Sequence, residues 1–288
     1  MPENDFIDLS SAVGLGLIDF DENDTAVDYG CMCFDSFVYT SRLCKKIVGI
    51  VPSSERLKTL QKRLVEEGVK NYDLVNANYK EQRFEEVFDC VIINCFLAQL
   101  LIGIKHNKSI FFDSMIWPKK KDDSPGEIRI GFLQTVYNGL RPGGTLYLSY
   151  ANKLRVNTLL SCTSLEIKSY FTSFSMRKVL NIISLVETIC LYSYYLISQK
   201  GFVKLLKANG FVHIEKYAVF PDHKYPLKII PLSKLDECSF EPVQHLHRGG
   251  YFRRICAGAR RRIEIIIFNK LKIFSLSPSF IITARKAS

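Results

Sequence analysis

The chain has 288 residues and a mass of 33.0 kDa, which is long enough for one large domain with an insertion and excludes a peptide or a disulfide-stapled scaffold. Hydrophobic residues make up 47% and charged residues 24%, so a wholly disordered chain is excluded too. Lysine and arginine number 39 against 29 acidic residues, a net charge of +10. This excess favours an anionic partner, namely a nucleic acid, a phosphate-bearing substrate or a membrane surface, or it only keeps the protein in solution.

The charge is unevenly distributed. Residues 1–40 contain nine acidic residues and no Lys or Arg, so the rest of the chain has 39 basic against 20 acidic residues. The nine cysteines are scattered, and the Cys31-x-Cys33 pair has no further ligands near it, which favours packed thiols in a reducing cytosol and predicts no metal site. The acidic start of the chain lacks the basic and apolar regions of a secretion signal. We therefore expect a cytoplasmic protein, with peripheral membrane contact as a variant of that expectation.

Strand-like and helix-like patterns alternate through the first half of the chain. Short apolar or β-branched runs predict strands at 25–29, 47–51, 72–76, 88–93 and 145–149. Amphipathic patterns predict helices at 53–67, which begins with a Ser-Ser-Glu capping sequence, and at 131–140. This alternation predicts an α/β fold with a Rossmann-like, doubly wound sheet.

The second half of the chain begins with a different pattern. Residues from about 155 to 200 lack Pro and Gly, which predicts helices, and the apolar run 179–198 contains Asn181 and Glu187, which favours a buried or interfacial helix over a membrane span. A helix at 200–209, closed by a left-handed Gly210, and strands at 211–220 and 279–284 then bring the sheet to seven strands.

These patterns divide the chain into four parts. They are a cofactor-binding core at 1–152, a helical insertion with the return to the sheet at 153–220, a basic elaboration at 221–278, and the final strand at 279–288. In an open parallel sheet the ligand lies at the carboxyl ends of the strands. The candidate binding residues are therefore those that end the first four strands: Asp28, Gly30, Met32, Val51, Pro52, Asn76, Ala77 and Asn94.

Several motifs together resemble the class I S-adenosylmethionine-dependent methyltransferases. They are an acidic residue and a glycine closing strand one, VGI-x-PS at strand two, FDCVIIN as strand four and LRPGGTL before strand five. The segments GFVKLLKANGF, FPDHKYP and SPSFIITARK look like a subset of these enzymes associated with surface-polysaccharide biosynthesis. The resemblance covers nearly the whole chain and implies S-adenosyl-L-methionine as cofactor.

This sequence departs from the family's cofactor motif at several positions. Met32 and Phe34 stand where members usually carry glycine, and Val51 stands where an acidic residue usually accepts the ribose hydroxyls. Asn76 replaces the Asp that usually contacts the adenine amine, and its amide can still accept a hydrogen bond. Two expectations follow: an active methyltransferase, or a pseudo-methyltransferase that retains the fold as a scaffold or binding partner.

The resemblance implies a sugar, glycolipid or other small hydroxyl or amine acceptor. A hydroxyl acceptor can need a general base, and the candidates are His106, Asp222 and His223. Further along, the segment Arg248–Lys272 has eight basic residues against one acidic residue, with Tyr251, Phe252 and Phe268 interleaved. This mixture suits nucleic acid, an anionic membrane or an acidic protein, and it also suits a solvated helix face.

Overall fold

The computed structural model describes residues 12–77, 83–94, 96, 125–152, 197–221, 226–234, 266–271 and 273–288. Within these ranges the chain forms eight strands, bounded as follows: Thr25–Tyr29 (β1), Lys46–Ile50 (β2), Tyr72–Val75 (β3), Phe88–Asn94 (β4), Leu140–Ala151 (β5), Phe211–Pro221 (β6), Pro226–Pro231 (β7) and Ser279–Lys286 (β8).

Four α-helices accompany the strands in the described ranges: Phe34–Ser41 (α1), Ser54–Glu66 (α2), Pro125–Gly139 (α3) and Gln199–Ala208 (α4). N-terminal caps explain where two of them begin. The predicted cap at Ser53 accepts a hydrogen bond from the Arg56 amide, and Ser198, which was not predicted as a cap from the sequence, accepts one from the Gly201 amide. Short 3-10 helices lie at Val13–Leu17 and Phe274–Leu276, and a single π-helical turn lies at Ile266–Lys270.

The eight strands form one mixed sheet in the order β3-β2-β1-β4-β5-β8-β6-β7. Strands β1 to β5 are parallel, β8 is antiparallel to both β5 and β6, and β7 pairs antiparallel with β6 at the edge. The chain moves one way from β1 to β3 and the other way from β4 to β5. The boundary between β1 and β4 is therefore the topological switch point, where open α/β sheets bind their ligands.

The sheet carries helices on both faces, as the strand and helix alternation predicted. Successive residues of β1 belong to different hydrophobic clusters, with Val27 in the cluster that contains Phe132 of α3 and Ala26 in the cluster that contains Phe37 of α1. Because side chains alternate across a strand, these two clusters lie on opposite faces. The doubly wound α/β architecture is confirmed.

Two details of the prediction need correction. The sheet has eight strands and not seven, because β7 lies inside the segment that the sequence assigned to an insertion. Prolines at both ends of β7 obscured it, and an edge strand tolerates proline because one side of it needs no ladder hydrogen bonds. The Arg-Pro-Gly-Gly sequence at 141–144 predicts a break between the helix at 131–140 and the strand at 145–149. In the structure these four residues form a bulge within β5, opposite a register shift between Phe88 and Cys90.

Most of the predicted helical stretch, at 153–196, lies outside the described residues. Its described end is not helical, since Ile197 and Ser198 precede α4. No helix in the described ranges is long and apolar enough to cross a membrane.

Candidate cofactor site

The turn after β1 has a strained backbone at the switch point of the sheet. Gly30 and Cys31 both have positive φ angles, 90° and 44°, and the Gly30 amide donates a hydrogen bond of 2.8 Å to the carbonyl of Ile50 at the end of β2. A left-handed conformation costs a residue with a Cβ about 1–2 kcal/mol. The surrounding structure must therefore hold Cys31 in this conformation.

Two arginines of α2 hold the turn after β1. The Arg56 Nη2 atom donates hydrogen bonds to the carbonyl oxygens of Cys31 and Met32, at 2.8 and 2.9 Å. The Arg63 guanidinium carbon lies 3.7 Å from the centre of the Phe34 ring, a cation–π contact. Helix α2 thus fixes two carbonyls of the turn and packs against Phe34, one of the two large residues that replace glycine.

The Phe96 ring fills the space beside Gly30. A Cβ on Gly30 would lie only 2.1 Å from the Phe96 Cδ2 atom, and Phe96 is itself buried. The sequence predicted that glycine here lets the backbone approach a ligand. In the structure, the group that comes close to Gly30 is the Phe96 side chain.

Asp28 is a buried carboxylic acid beside the same turn. Its exposed fraction is 0%, and neither carboxylate oxygen makes a hydrogen bond with the described residues. Burial raises the pKa of Asp28 well above its ordinary value, and the neighbouring Cys33 adds to the rise. The nearby Cys31 amide, which does not reach hydrogen-bond geometry with the carboxyl group, and the Arg56 guanidinium lower the pKa, but by less than burial raises it. The carboxyl group therefore favours its protonated form.

The end of β2 does not supply an acceptor for ribose hydroxyls. Val51 is fully buried in the cluster formed with α1 and α2, and its amide donates to the carbonyl of Val75 at 2.9 Å. Pro52 follows it at a half-buried position. The departure from an acidic residue is therefore accompanied by packing of the valine side chain into the core.

The end of β3 does supply a free acceptor. Asn76 is exposed, and its Nδ2 atom donates a 2.8 Å hydrogen bond to the Val51 carbonyl. Its Oδ1 atom makes no hydrogen bond with the described residues, and Ala77 beside it adds little bulk. The arrangement orients an amide oxygen that can accept from an amine such as that of adenine.

Asn94 at the end of β4 is engaged within the protein. Its Nδ2 atom donates to the Ser36 hydroxyl at 3.0 Å, its Oδ1 atom accepts from the Ser149 hydroxyl, and all three residues are fully buried. The side chain thus joins β4 to α1 and β5. Asn94 was predicted to bind the cofactor, whereas in the structure its side chain holds these three elements together.

The structure brings Asp28, Gly30 and Met32 together with the end of β2. The predicted catalytic residues His106, Asp222 and His223 lie outside the described residues. In the described ranges no three His, Cys, Asp or Glu side chains form a metal site. Sequence reasoning missed Arg56, Arg63 and Phe96, whose contacts with the turn span at least 24 positions of sequence.

Comparisons with known proteins find likeness in structure alone. No protein-family model matches the sequence, and no curated protein matches it. Among solved structures, the chain resembles the [4+2]-cyclase SpnF at 13% identity and a TM-score of 0.51, over 96% of this chain and 79% of that one.

Two further structures are named as methyltransferases. One is phosphoethanolamine N-methyltransferase 2 of Haemonchus contortus, in complex with S-adenosyl-L-methionine, which matches at 14% identity and a TM-score of 0.53. The match covers 98% of this chain but only 53% of that enzyme. A candidate methyltransferase from Bacillus halodurans matches at 13% identity and a TM-score of 0.50, over 96% of this chain and 99% of that one.

Likeness at such identity concerns the fold. A cyclase and methyltransferases share this architecture, so the fold alone does not determine the reaction. The chain has the Rossmann-like fold of these methyltransferases.

Proposed function

We propose that this protein binds S-adenosyl-L-methionine at the turn after β1 and transfers its methyl group to a small acceptor. The observation that carries the proposal is the strained turn: Cys31 has a positive φ angle at the switch point, and Arg56 holds it there through two carbonyls. Strain of this kind persists where surrounding structure supports it, and it is concentrated at binding and catalytic sites.

The described residues suit two ends of the cofactor. The Asn76 Oδ1 atom is available to accept from the adenine amine, and the turn at 30–32 would lie at the amino-acid end, as the family resemblance implies. The ribose hydroxyls would have no acceptor at Val51, which weakens the interaction at that point. The absence of Lys and Arg from residues 1–40 suits a cationic sulfonium and disfavours a polyphosphate.

The chemistry asked of the protein is mainly alignment. S-adenosylmethionine supplies an already activated methyl group, so a site contributes most by orienting the acceptor and excluding water. We propose a sugar, glycolipid or other small molecule with a hydroxyl or amine as the acceptor. His106, Asp222 and His223 are proposed as its general bases or orienting groups, from the sequence alone.

Isothermal titration of the full chain with S-adenosylmethionine and S-adenosylhomocysteine tests the proposal. We expect micromolar binding to the wild type. Asn76→Asp loses the Nδ2 donor to the Val51 carbonyl but retains a side-chain oxygen acceptor, so it should retain more of the affinity than a variant without an acceptor. Asn76→Leu removes that acceptor and should weaken binding by about tenfold, the effect of one lost hydrogen bond.

Asn76 is exposed and both variants lose the same hydrogen bond to the Val51 carbonyl, so they should unfold at nearly the same temperature as each other. Equal affinity in the Leu and Asp variants would remove Asn76 from the site. An absence of heat at millimolar ligand in the wild type would contradict cofactor binding altogether.

A second candidate function is a scaffold that retains the fold without the cofactor. It is favoured by the Phe96 ring beside Gly30 and by the burial of Val51, since both place protein side chains where the family's motif leaves room for ligand. In that case isothermal titration of Phe96→Ala with S-adenosylmethionine should show no binding. If Phe96→Ala instead restores or tightens binding, the scaffold candidate is wrong, because the site would then need only the removal of one ring.

A further inference from the structure

Three exposed aliphatic side chains lie close together near the end of the chain. Ile266, Leu271 and Ile273 are 46%, 57% and 38% exposed, and we call them the aliphatic turn. They are three of the nine large hydrophobic residues exposed among the described residues, yet they fall within eight positions of sequence. Such clustering differs from the scattered single apolar residues that are normal on protein surfaces.

The backbone of the aliphatic turn is compact and well supported. The Leu271 amide donates to the Ile266 carbonyl at 2.9 Å, and the Ile273 amide donates to the Ile267 carbonyl at 3.0 Å. These bonds bring the three exposed residues onto one short turn. The exposed side chains therefore belong to an ordered element and not to a frayed end.

Two aromatic rings anchor this turn to the sheet. Phe268 and Phe274 are buried, their ring centres are 5.5 Å apart, and Phe268 packs edge-on against Phe220 of β6 at 4.9 Å. The aromatic residues of the turn thus face the core while the aliphatic residues face solvent. Packing in the core explains the two aromatic residues, whereas the three aliphatic residues remain exposed and are not covered by the described residues.

The charge around the aliphatic turn indicates the sign of its partner. Lys270 is exposed between Ile266 and Leu271. The sequence of residues 248–272 adds seven further basic residues and one acidic residue, and the whole chain carries +10. Exposed aliphatic groups next to Lys270, on a chain whose sequence carries a net charge of +10, complement an anionic apolar surface.

The same contacts argue against two other occupants. Single-stranded nucleic acid is bound by stacking its bases on exposed aromatic rings. Of the three aromatic residues in the sequence of residues 248–272, Phe268 is fully buried, and Tyr251 and Phe252 lie outside the described residues. A second copy of the chain would bring together two chains that each carry a net charge of +10, with a Lys270 on each contacting surface, and like charges oppose association.

We propose that the aliphatic turn docks on an anionic lipid bilayer, with Ile266, Leu271 and Ile273 entering the interfacial region and Lys270 contacting the headgroups. This surface is separate from the turn after β1, so the proposal does not depend on methyl transfer. A peripheral contact of this kind joins apolar insertion to electrostatic attraction, and neither a spanning helix nor a lipid anchor is required.

Co-sedimentation of the full chain with vesicles tests the proposal. We expect binding to vesicles of phosphatidylcholine mixed with phosphatidylglycerol, a decrease at higher salt, and little binding to phosphatidylcholine alone. The triple variant Ile266→Ser, Leu271→Ser, Ile273→Ser should lower the partition coefficient by about tenfold or more. Lys270→Glu should also weaken binding relative to the wild type, and this loss should be larger at low salt than at high salt.

A matched control removes the same number of exposed aliphatic side chains elsewhere. Val65, Leu227 and Val212 are 67%, 67% and 39% exposed, and their replacement by Ser should leave vesicle binding unchanged. Thermal unfolding of both triple variants confirms that they fold. Equal loss in the two triple variants, or full binding by the aliphatic-turn variant, would overturn the proposal.

Two further outcomes would also overturn it. In the first, the wild type binds an oligonucleotide, and the triple Ser variant of the aliphatic turn loses this binding but binds vesicles as the wild type does. The other is a dimer by sedimentation velocity that the same variant dissociates, with no vesicle binding in the wild type.

Discussion

Two buried polar side chains lie near the ends of neighbouring strands, and they differ in how their hydrogen-bonding atoms are satisfied. Asn94, at the end of β4, donates to Ser36 and accepts from Ser149. Asp28, near the end of β1, has no hydrogen bond to either carboxylate oxygen within the described residues. Both side chains are fully buried. The two strands are paired in the sheet, so the contrast arises within a few residues.

The difference separates a structural residue from a candidate functional one. Nearly all buried polar groups in native proteins are hydrogen-bonded, so an unsatisfied one calls for an explanation such as strain or function. Asn94 follows this rule, and its hydrogen bonds to α1 and β5 explain its burial by a structural role. Asp28 departs from the rule next to the strained turn, and this adds a second reason to place the candidate site at β1 and not at β4.

The largest expected effect concerns the backbone beside Asp28. Gly30→Val should prevent stable folding, because its φ is 90° and any Cβ meets the Phe96 ring at 2.1 Å. Gly143→Ala is the matched control, since Gly143 also has a positive φ, 78°, but has no neighbour within 4 Å. We expect it to lower the free energy of unfolding by only about 1 kcal/mol. Chemical denaturation of both variants makes the comparison, and similar losses would show that Phe96 does not restrict Gly30.

The next largest effect concerns Asn94, whose buried side chain has its hydrogen bonds satisfied. Asn94→Leu should lower the free energy of unfolding by about 2–4 kcal/mol, since it removes two buried hydrogen bonds and leaves polar partners behind. Urea denaturation of this variant, of Ser149→Ala and of the double variant gives the coupling between the two residues. An additive result would contradict the junction role, because residues in one hydrogen-bond network are not additive.

The smallest effect has the opposite sign. The native pKa of Asp28 is raised above its ordinary value of 3.8, so unfolding releases a proton and this contribution to stability falls as the pH rises above about 4 toward the native pKa. Asp28→Asn cannot ionise, and it should raise the free energy of unfolding at neutral pH, because the unfolded chain no longer gains stability by ionising at this position.

The measurement is thermal unfolding across this pH range, where the Asn variant should have a weaker pH dependence than the wild type. Glu55→Gln, which removes an exposed carboxylate, serves as the control. Destabilisation by Asp28→Asn at neutral pH would mean that Asp28 is charged and paired in the native protein.

Much of the fold could be predicted from local sequence. The buried run at 88–93 predicted β4, the Ser53 hydroxyl predicted the start of α2, and Gly210 adopts the predicted left-handed conformation with φ of 89°. These features depend on a few neighbouring residues. Strand β7 could not be predicted in the same way, because it forms only by pairing with β6.

The candidate site was predicted as a place and not as a set of contacts. The order of strands indicated the turn after β1, and the turn lies there. The roles of Arg56 and Phe96 depend on how α2 and the residue two positions beyond β4 pack against that turn. The sequence assigned Asn94 and Asp28 the same role, and only three-dimensional packing shows that one is satisfied and the other is not.

The position of β8 has a consequence for folding during synthesis. This strand comes late in the chain yet lies inside the sheet between β5 and β6, and the Lys286 ammonium donates to the Leu140 carbonyl across 146 positions. Strands β1 to β5 can pair as they emerge from the ribosome, since domains form from the N-terminal side during synthesis. Strands β6 and β7 can join them only after residues 279–286 have emerged, so until then the newly made protein exposes β5 as an open edge to chaperones and to other nascent chains.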